Sequence, residues 1–202
     1  MQANYAAEPQ DGPTSGPDLS RHLQEAFAGI RLGAGLWLDG GITLGSLGWE
    51  SWMSRDNPTY TRSLVAEYTP YYESGIRLVW EAAPGLVVQG HLMNGWQKIS
   101  EDNAAKSASV RVDLALAPGL AVAAAGFLGN EQPRGAPRAT RYFGQLMLKT
   151  RPHRDLLVQA QLDAGRQRLP DRSAHWWGAV GIARLALQRR LALQRSADTG
   201  TQ

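Results

Sequence analysis

Residues 109–119 read SVRVDLALAPG, a pattern that points to β-structure. Apolar and polar side chains alternate along it, which predicts a strand with one apolar and one polar face. A helix would place Arg111 and Leu114 on the same side, so the helical pattern fits worse. The Pro-Gly pair that follows predicts a tight turn. The alternating residues are Val110, Val112, Leu114 and Leu116 on one face and Ser109, Arg111 and Asp113 on the other.

Three further segments, residues 36–44, 76–81 and 156–163, alternate in the same way. In the first of them Leu36, Leu38 and Ile42 fall opposite Asp39 and Thr43. Such period-two patterns are typical of half-buried strands. We therefore predict an all-β fold that begins near residue 22.

The connections between these segments alternate in length. Short connections on one side, long connections on the other and strands of about ten residues are typical of an up-and-down transmembrane β-barrel. A soluble sandwich would mix its loop lengths at both ends. We expect nine strands and part of a tenth, hence an incomplete antiparallel barrel. The short connections are predicted at 33–35, 83–85, 117–119, 151–154 and 188–190, and the long ones at 46–72, 97–106, 130–139 and 166–175.

The composition excludes several classes of protein. The chain has no cysteine, so disulfides, thiolate metal sites and cysteine nucleophiles are absent. Its 18 arginines and three lysines are scattered among 18 acidic residues, so we expect no nucleic-acid partner. The four histidines stand apart without metal spacing, so we expect no metal, no cofactor and no enzymatic activity. A Ser109–His91 pair on neighbouring strands lacks a recognisable acid partner.

The chain divides into a Pro- and Gly-rich segment at 1–21, a barrel segment at 22–195 and a polar tail at 196–202. We expect both terminal segments to be disordered. Residues 1–18 carry no signal-peptide pattern, so the gene product is expected to extend further upstream or to be truncated. Two segments also admit helices. Residues 18–30 could form a capped amphipathic helix and residues 184–195 a short basic one, although the repeated Leu-Ala-Leu favours two strand ends there.

The chain has seven tryptophans, and most of its aromatic residues lie in or beside the long connections, with only Trp37 and Trp80 closer to the tight turns. Trp and Tyr suit a boundary between hydrocarbon and water, so this placement predicts a girdle at one membrane interface. The same residues could instead serve a soluble or surface β-sheet module that binds carbohydrate or protein. A third alternative is a non-conducting barrel that serves as a structural anchor.

The stretch from residue 44 to 78 resembles the OmpL-like outer-membrane β-barrel porin family. Members have a Gly-rich corner, a loop with an Asn-Pro-x-Tyr-x-Arg-Ser core, then an aromatic segment that leads to a glycine and the next strand. A strand end at Asn94-Gly95-Trp96 and the run 129–133 follow in the same order, so the match spans roughly residues 24–187. The matching core residues are Asn57, Pro58, Tyr60, Arg62 and Ser63, with the later glycine at Gly75.

The resemblance implies a bacterial outer-membrane channel through which small hydrophilic solutes and ions diffuse. It implies outer-membrane lipid as a partner and leaves room for a homo-oligomer. Family members are longer and end on an aromatic strand, whereas this chain ends in a polar segment. The sequence is therefore expected to be a fragment of a porin.

Polar strand residues that face away from lipid would line the pore. The loop at 46–72 is the candidate constriction or plug, since loops of this length are usually functional or disordered. The alternative is that these charges form the solvated face of a soluble sheet. The candidates are Asp39, Arg77, Gln89, His91, Arg111, Asp113, Gln159, Gln161 and Asp163 on strands, with Arg55, Asp56 and Arg62 in the loop.

Overall fold

The computed structural model describes residues 25–101, 103–188 and 191–201, and from residue 188 onward only the backbone. Ten antiparallel strands follow one another in chain order within one sheet, which confirms the all-β, up-and-down prediction. The sheet is open: among the described residues, β1 and β10 each pair with a single neighbour. The strands are β1 (Ala26–Gly33), β2 (Leu36–Leu44), β3 (Tyr72–Ala83), β4 (Leu86–Met93), β5 (Ser107–Ala117), β6 (Leu120–Asn130), β7 (Thr140–His153), β8 (Leu156–Arg168), β9 (Ser173–Gln188) and β10 (Leu191–Thr201).

Direct cross-strand pairing aligns the alternating residues into rows across the sheet. Gln89 pairs with Arg111, Arg111 with Ala125, Ala125 with Gln145, and Gln145 with Asp163. Side chains of paired residues point to the same side of a sheet, so this row lies on one face. We call that side the inner face, and the opposite side the outer face.

Burial on the two faces is the reverse of that in a soluble sheet. Polar inner-face residues such as Asp39, His91 and Gln145 are buried, whereas large apolar residues of the outer face such as Leu146 and Leu162 are more than half exposed. In water, an apolar surface of this extent is unfavourable and rare. An outward apolar band around a polar interior is typical of a membrane barrel.

The short connections contain two residues wherever the structure describes them. In two of them proline and glycine occupy the central positions, at Pro84-Gly85 and Pro118-Gly119. Gly85 has φ 80° and Gly119 has φ 78°, the left-handed conformation that the third position of a type II turn requires. The tight connections at 33–35, 83–85 and 117–119 are thereby confirmed, and the one predicted at 151–154 is a two-residue turn at Arg154-Asp155 that follows the end of β7. The central residues of the last one, 189 and 190, lie outside the described residues.

The longest connection, between β2 and β3, folds back over the inner face; we call residues 45–71 the inner loop. It contains a 3-10 turn at Ser54–Asp56 and one short helix, α1, at Leu64–Glu67. Val65 of this helix packs against Val180 and Ile182 on β9. The loop therefore reaches from the corner of β2 and β3 across to the far part of the sheet. Within the described residues, neither helical segment has the length or apolar character of a membrane-spanning helix.

Two helical alternatives are settled by strand pairing. Phe27 and Ile30 lie in β1, where they pair with Gly41 and Leu38, so a helix over this part of 18–30 is wrong. The first residues of that candidate helix lie outside the described residues. Residues 184–188 and 191–195 belong to β9 and β10, as the repeated Leu-Ala-Leu favoured. β1 pairs with β2, and β10 pairs with β9, so these segments have the backbone partners of strands and not of helices.

Two boundaries differ from the sequence prediction. The connection expected at 166–175 shrinks to 169–172, because Arg168 pairs with Ser173 and Leu169 N–H donates to the Arg172 carbonyl (2.8 Å). Polar residues in this part of β8 resemble loop residues, so the sequence pattern did not show that the strand continues. The backbone of β10 runs on to Thr201, which pairs with Trp177, past residue 195 where the sequence ended the barrel segment.

Candidate functional site

Arg111, at the centre of the inner face, joins the sheet to the inner loop. Its Nε and Nη2 donate to the two carboxylate oxygens of Asp113 at 2.7 and 2.8 Å. Its Nη1 donates to the carbonyls of Ser46 and Gly48, both at 2.7 Å. The Trp49 ring lies 5.4 Å from the guanidinium carbon. The planar guanidinium therefore holds a carboxylate and a loop backbone at once, a geometry that lysine cannot reproduce.

Asp163, on β8, contacts the same loop through two glutamines. Gln145 and Gln161 donate to the Asp163 carboxylate, at 2.9 Å and at 3.0 and 3.2 Å. Their side-chain carbonyls accept from the backbone N–H groups of Gly48 (2.8 Å) and Trp49 (3.2 Å). The carboxylate thereby fixes the orientation of both amides, and the amides fix the loop.

A third connection lies at the base of the inner loop. His91 Nδ1 lies 2.7 Å from a Glu73 carboxylate oxygen, and both side chains are almost fully buried. Ser46 Oγ donates to the other Glu73 oxygen at 3.0 Å and lies 3.3 Å from Ser109 Oγ. Glu73 therefore orients both a histidine on the neighbouring strand and the first turn of the loop.

Most remaining charges of the inner face are balanced locally. Arg77 contacts the Asp39 carboxylate through Nε (2.9 Å) and Nη2 (2.8 Å). Lys149 differs: its Nζ lies 5.8 Å from the Trp49 ring centre, and no carboxylate of the described residues lies within 4.0 Å of it. The inner face is thus strongly polar, with short-range ion pairs in place of a large net field.

The inner loop also has a hydrogen-bonded interior of its own. The Glu50 carboxylate accepts from the backbone N–H of Ser63 (3.1 Å) and from its hydroxyl, which in turn accepts from Ala66 N–H (3.1 Å). Ser63 is therefore the N-cap of α1. The Asn57 side chain spans Ser51, accepting from its N–H (2.7 Å) and donating to its carbonyl (2.6 Å). These contacts fix the shape of the loop before it meets the sheet.

Comparison with known proteins shows to which family this chain belongs. A family model described as "Putative beta-barrel porin-2, OmpL-like" matches residues 1–194. The chain belongs to this OmpL-like porin family. No curated protein and no solved structure matches the chain. In a β-barrel porin-like protein, the inner face is the candidate pore lining and the inner loop the candidate constriction.

The OmpL-like sequence core explains the loop residue by residue. Asn57 and Pro58 are buried in the loop interior, and Ser63 caps the helix. Arg62 donates to the Ala66 carbonyl (2.6 Å), and its guanidinium carbon lies 4.1 Å from the Tyr71 ring centre. These positions build the loop and do not face the pore lining as free charges.

Three loop residues that the sequence assigned to the site lie on its exposed side. Tyr60 is 86% exposed. The side chains of Arg55 and Asp56 are 79% and 46% exposed and form an ion pair with each other (3.6 Å). The structure does not bring them to the ion pairs of the inner face. Arg55 and Asp56 belong to the 3-10 turn Ser54–Asp56, in which no residue is buried, and Tyr60 follows that turn.

The second OmpL-like motif, at residues 94–96, anchors an aromatic cluster. Trp96 N–H donates to Glu131 (3.0 Å), and its ring meets Phe127 and Phe143 edge-on at 4.8 and 5.0 Å between centroids. Asn94 donates to the Ile99 carbonyl (2.8 Å). A Cβ on Gly95 would lie 2.9 Å from Lys98. On Gly75 it would lie 2.1 Å from the Leu92 carbonyl, so both glycines permit close packing.

This aromatic cluster corrects the interpretation of the aromatic residues as a girdle. Trp49, Trp96, Phe143 and Trp176 pack together on the inner face. Of the aromatic residues near the long connections, Tyr142 (45% exposed) and Trp177 (48% exposed) lie on the outer face. Position near a strand end does not by itself decide which face a side chain occupies.

Sequence reasoning missed several residues that bind the loop. Gln145 belongs to the alternating run 141–149 and could have been found by strand periodicity. Ser46 and Glu73 gave no such signal, because their roles depend on how the loop folds. Among the described residues, no three His, Asp or Glu side chains are arranged to hold a metal ion. The expectation of no cofactor stays a prediction.

Proposed function

We propose that this OmpL-like protein is a passive diffusion channel of the bacterial outer membrane for small hydrophilic solutes and ions. One observation carries the proposal: the inner loop crosses a polar inner face, to which Arg111, Gln145 and Gln161 bind it. A loop fixed inside a water-filled barrel narrows the path for solutes but leaves it open. Barrel strands with apolar outer faces fit the hydrocarbon of the membrane.

Solutes would pass an interior of paired charges. Arginine–carboxylate pairs such as Arg111–Asp113 and Arg77–Asp39 place opposite charges side by side along the inner face. Local fields of this kind favour polar, hydrated solutes over apolar ones, while the small net charge imposes little preference between cations and anions. The proposal therefore includes neither a nucleic-acid partner nor a tightly bound solute.

Closure of the sheet is part of the proposal. A strand edge in hydrocarbon leaves unpaired N–H and C=O groups, each of which costs several kcal/mol. In the membrane the outer edges of β1 and β10 must therefore have pairing partners. Pairing within one barrel or with a second copy of the chain would both supply them, so a homo-oligomer remains compatible with the channel.

We assign no catalysis to the chain. Glu73 and His91 form an oriented acid–histidine pair beside Ser109, which resembles part of a hydrolase site. However, the His91 and Glu73 side chains are only 3% and 1% exposed. Substrate could not reach them, and the pair instead supports the base of the inner loop through Ser46.

Planar-bilayer recording of the purified, reconstituted protein tests the proposal. We expect discrete current steps in wild-type protein and larger steps in Arg111→Ala, because that variant releases the loop backbone at Ser46 and Gly48. Arg154→Ala is the matched control: it removes an arginine whose side chain is 86% exposed near a tight turn, and its steps should equal those of the wild type.

Two outcomes contradict the channel. A folded, membrane-inserted wild type without current would favour a structural barrel that serves as an anchor. A protein that stays folded and monodisperse in plain buffer, without lipid or detergent, would favour a soluble or surface binding module. If the current steps of Arg154→Ala were as much larger than wild type as those of Arg111→Ala, the increase would not result from release of the loop.

A further inference from the structure

The outer face carries a groove of about 600 Å³ that the channel does not use. Four neighbouring strands place Val110, Gly126, Gly144 and Ala164 side by side at its centre. The two glycines have no side chain, so the sheet surface is indented there between rows of larger residues. Leu128, in the next row, is 49% exposed and borders the indentation.

One end of this groove is basic. Arg166 lines it beside Tyr142, and Arg168 lies two residues further along the outer face of β8. Arg166 Nη2 donates to Ser173 Oγ (3.2 Å), and among the described residues no carboxylate lies within 4.0 Å of either guanidinium. Arg172, in the adjoining connection, is exposed as well.

The basic end also has a defined place relative to the membrane. It lies where β8 and β9 meet the longer connections, opposite the two-residue turns. In outer-membrane barrels the longer loops are extracellular. In the outer-membrane placement proposed above, the groove would lie in the hydrocarbon of the outer leaflet and the three arginines at the level of its headgroups.

We propose that this groove binds the phosphorylated glycolipid of the outer leaflet, with one acyl chain against Gly126 and Gly144 and headgroup phosphates at Arg166 and Arg168. Guanidinium groups bind phosphate oxygens through two parallel, charge-assisted hydrogen bonds. Three arginines in one cluster match a headgroup with more than one phosphate better than a lipid with a single phosphodiester. The proposal rests on the outer-membrane placement given under Proposed function.

Charge also disfavours a second copy of the chain as the occupant. A two-fold interface sets the same patch of both copies against each other. Arg166, Arg168 and Arg172 would then meet their own equivalents across the interface. Like charges brought together at the membrane surface repel each other, whereas an anionic lipid neutralises the cluster.

The groove can be filled without disturbing the backbone. A Cβ on Gly144 would have its nearest contact 4.0 Å away, at the Ala125 carbonyl, which is an ordinary van der Waals separation. Gly144→Leu should therefore fold and occupy the space of the acyl chain. Gly40→Leu is the matched control, because Gly40 is exposed on the outer face of β2 and has no neighbouring atom within 4 Å of its Cβ position.

The experiment titrates purified lipid A, and separately phosphatidylglycerol, into the detergent-solubilised protein and follows complexes by native mass spectrometry. We expect lipid A to bind the wild type and Gly40→Leu alike, and Gly144→Leu to bind about tenfold more weakly, a change of about 1.4 kcal/mol. The double variant Arg166→Ala/Arg168→Ala should weaken lipid A binding by at least as much. Its β-sheet circular dichroism should match that of the wild type, which shows that the fold is intact.

Three results would overturn the proposal: equal lipid A binding by wild type and both groove variants, equal affinity for phosphatidylglycerol and lipid A, or a Gly144→Leu variant that changes from oligomer to monomer. Bilayer recording separates this proposal from the channel. Lipid A binding without any current contradicts the channel alone, whereas current in a protein that does not bind lipid A contradicts the groove proposal alone.

Discussion

The inner and outer faces of the sheet follow from one alternating pattern but are organised differently. On the inner face the inner loop covers polar groups such as Arg111, which is partly buried, and Gln145, which is fully buried, and each has specific partners. On the outer face, side chains such as Leu146 are exposed and need only a uniform apolar surrounding. The effect of a substitution on the inner face therefore depends on the particular contacts it removes. On the outer face the effect depends on the hydrophobicity of the new side chain.

The largest expected effect comes from a charge on the outer face. Leu146→Arg places a guanidinium in the middle of β7, on a side chain that is 63% exposed. If this face meets hydrocarbon, the variant loses about 2–4 kcal/mol of folding free energy. Denaturant unfolding in lipid vesicles measures the loss. Val87→Arg is the control, at a half-buried inner-face position that pairs with the acidic residues Glu81 and Asp113. A loss of folding free energy there as large as at residue 146 would remove the distinction between the faces.

Arg111→Ala should be the next most costly change, because it tests a specific contact on the inner face. The variant leaves the Asp113 carboxylate and the carbonyls of Ser46 and Gly48 without their donor. Breaking a hydrogen-bonded charge pair of this partly covered kind should cost roughly 2 kcal/mol. The same vesicle assay measures it. A loss below about 0.5 kcal/mol, the size typical of surface substitutions, would show that Arg111 does not hold the loop.

The sequence predicted the faces well and the loop contacts poorly. Alternation in β5 and β8 placed Arg111, Asp113 and Asp163 on one side, and the pairing confirms it. It could not show that Arg111 binds the backbone of Ser46, a residue 65 positions away. Side-chain period is a local property of a strand, whereas such contacts depend on the path of a long loop.

The same distinction explains two errors. The aromatic residues near strand ends were interpreted as a girdle. Phe143 instead points inward because of its register in β7, and Trp96, in the connection after β4, packs against it. The connection at 166–175 was expected to be long, because polar Arg166 and Arg168 resemble loop residues. Basic side chains near the end of a strand give that part of the strand the composition of a loop.

Within the inner loop, Ser63→Ala should have a moderate effect. The variant removes the cap of α1 and one donor to Glu50. Loss of an N-cap side chain costs about 1 kcal/mol. We expect that loss in unfolding free energy, with faster proteolysis of the loop. Ser63→Thr, which keeps the hydroxyl, should restore most of the stability, and failure to do so would indicate a steric effect in place of a cap.

The smallest effect is expected at Tyr60, although it belongs to the same family core. Its side chain is 86% exposed. Tyr60→Ala should change the unfolding free energy by no more than about 0.5 kcal/mol and leave the current steps unchanged. A large loss of stability would mean that Tyr60 packs against another part of the protein, and the described position of the loop would then be wrong.

The central claim is that the inner loop crosses the inner face as far as β9. The chain has no cysteine, so a single introduced pair can be cross-linked without competition. Val65→Cys with Val180→Cys joins two residues of one packed cluster, and Tyr60→Cys with Val180→Cys is the control from the exposed side of the loop. Mild oxidation in lipid vesicles should give an intramolecular disulfide in the first pair and none in the second. Absence of the disulfide between residues 65 and 180, or equal yields from both pairs, would contradict the account.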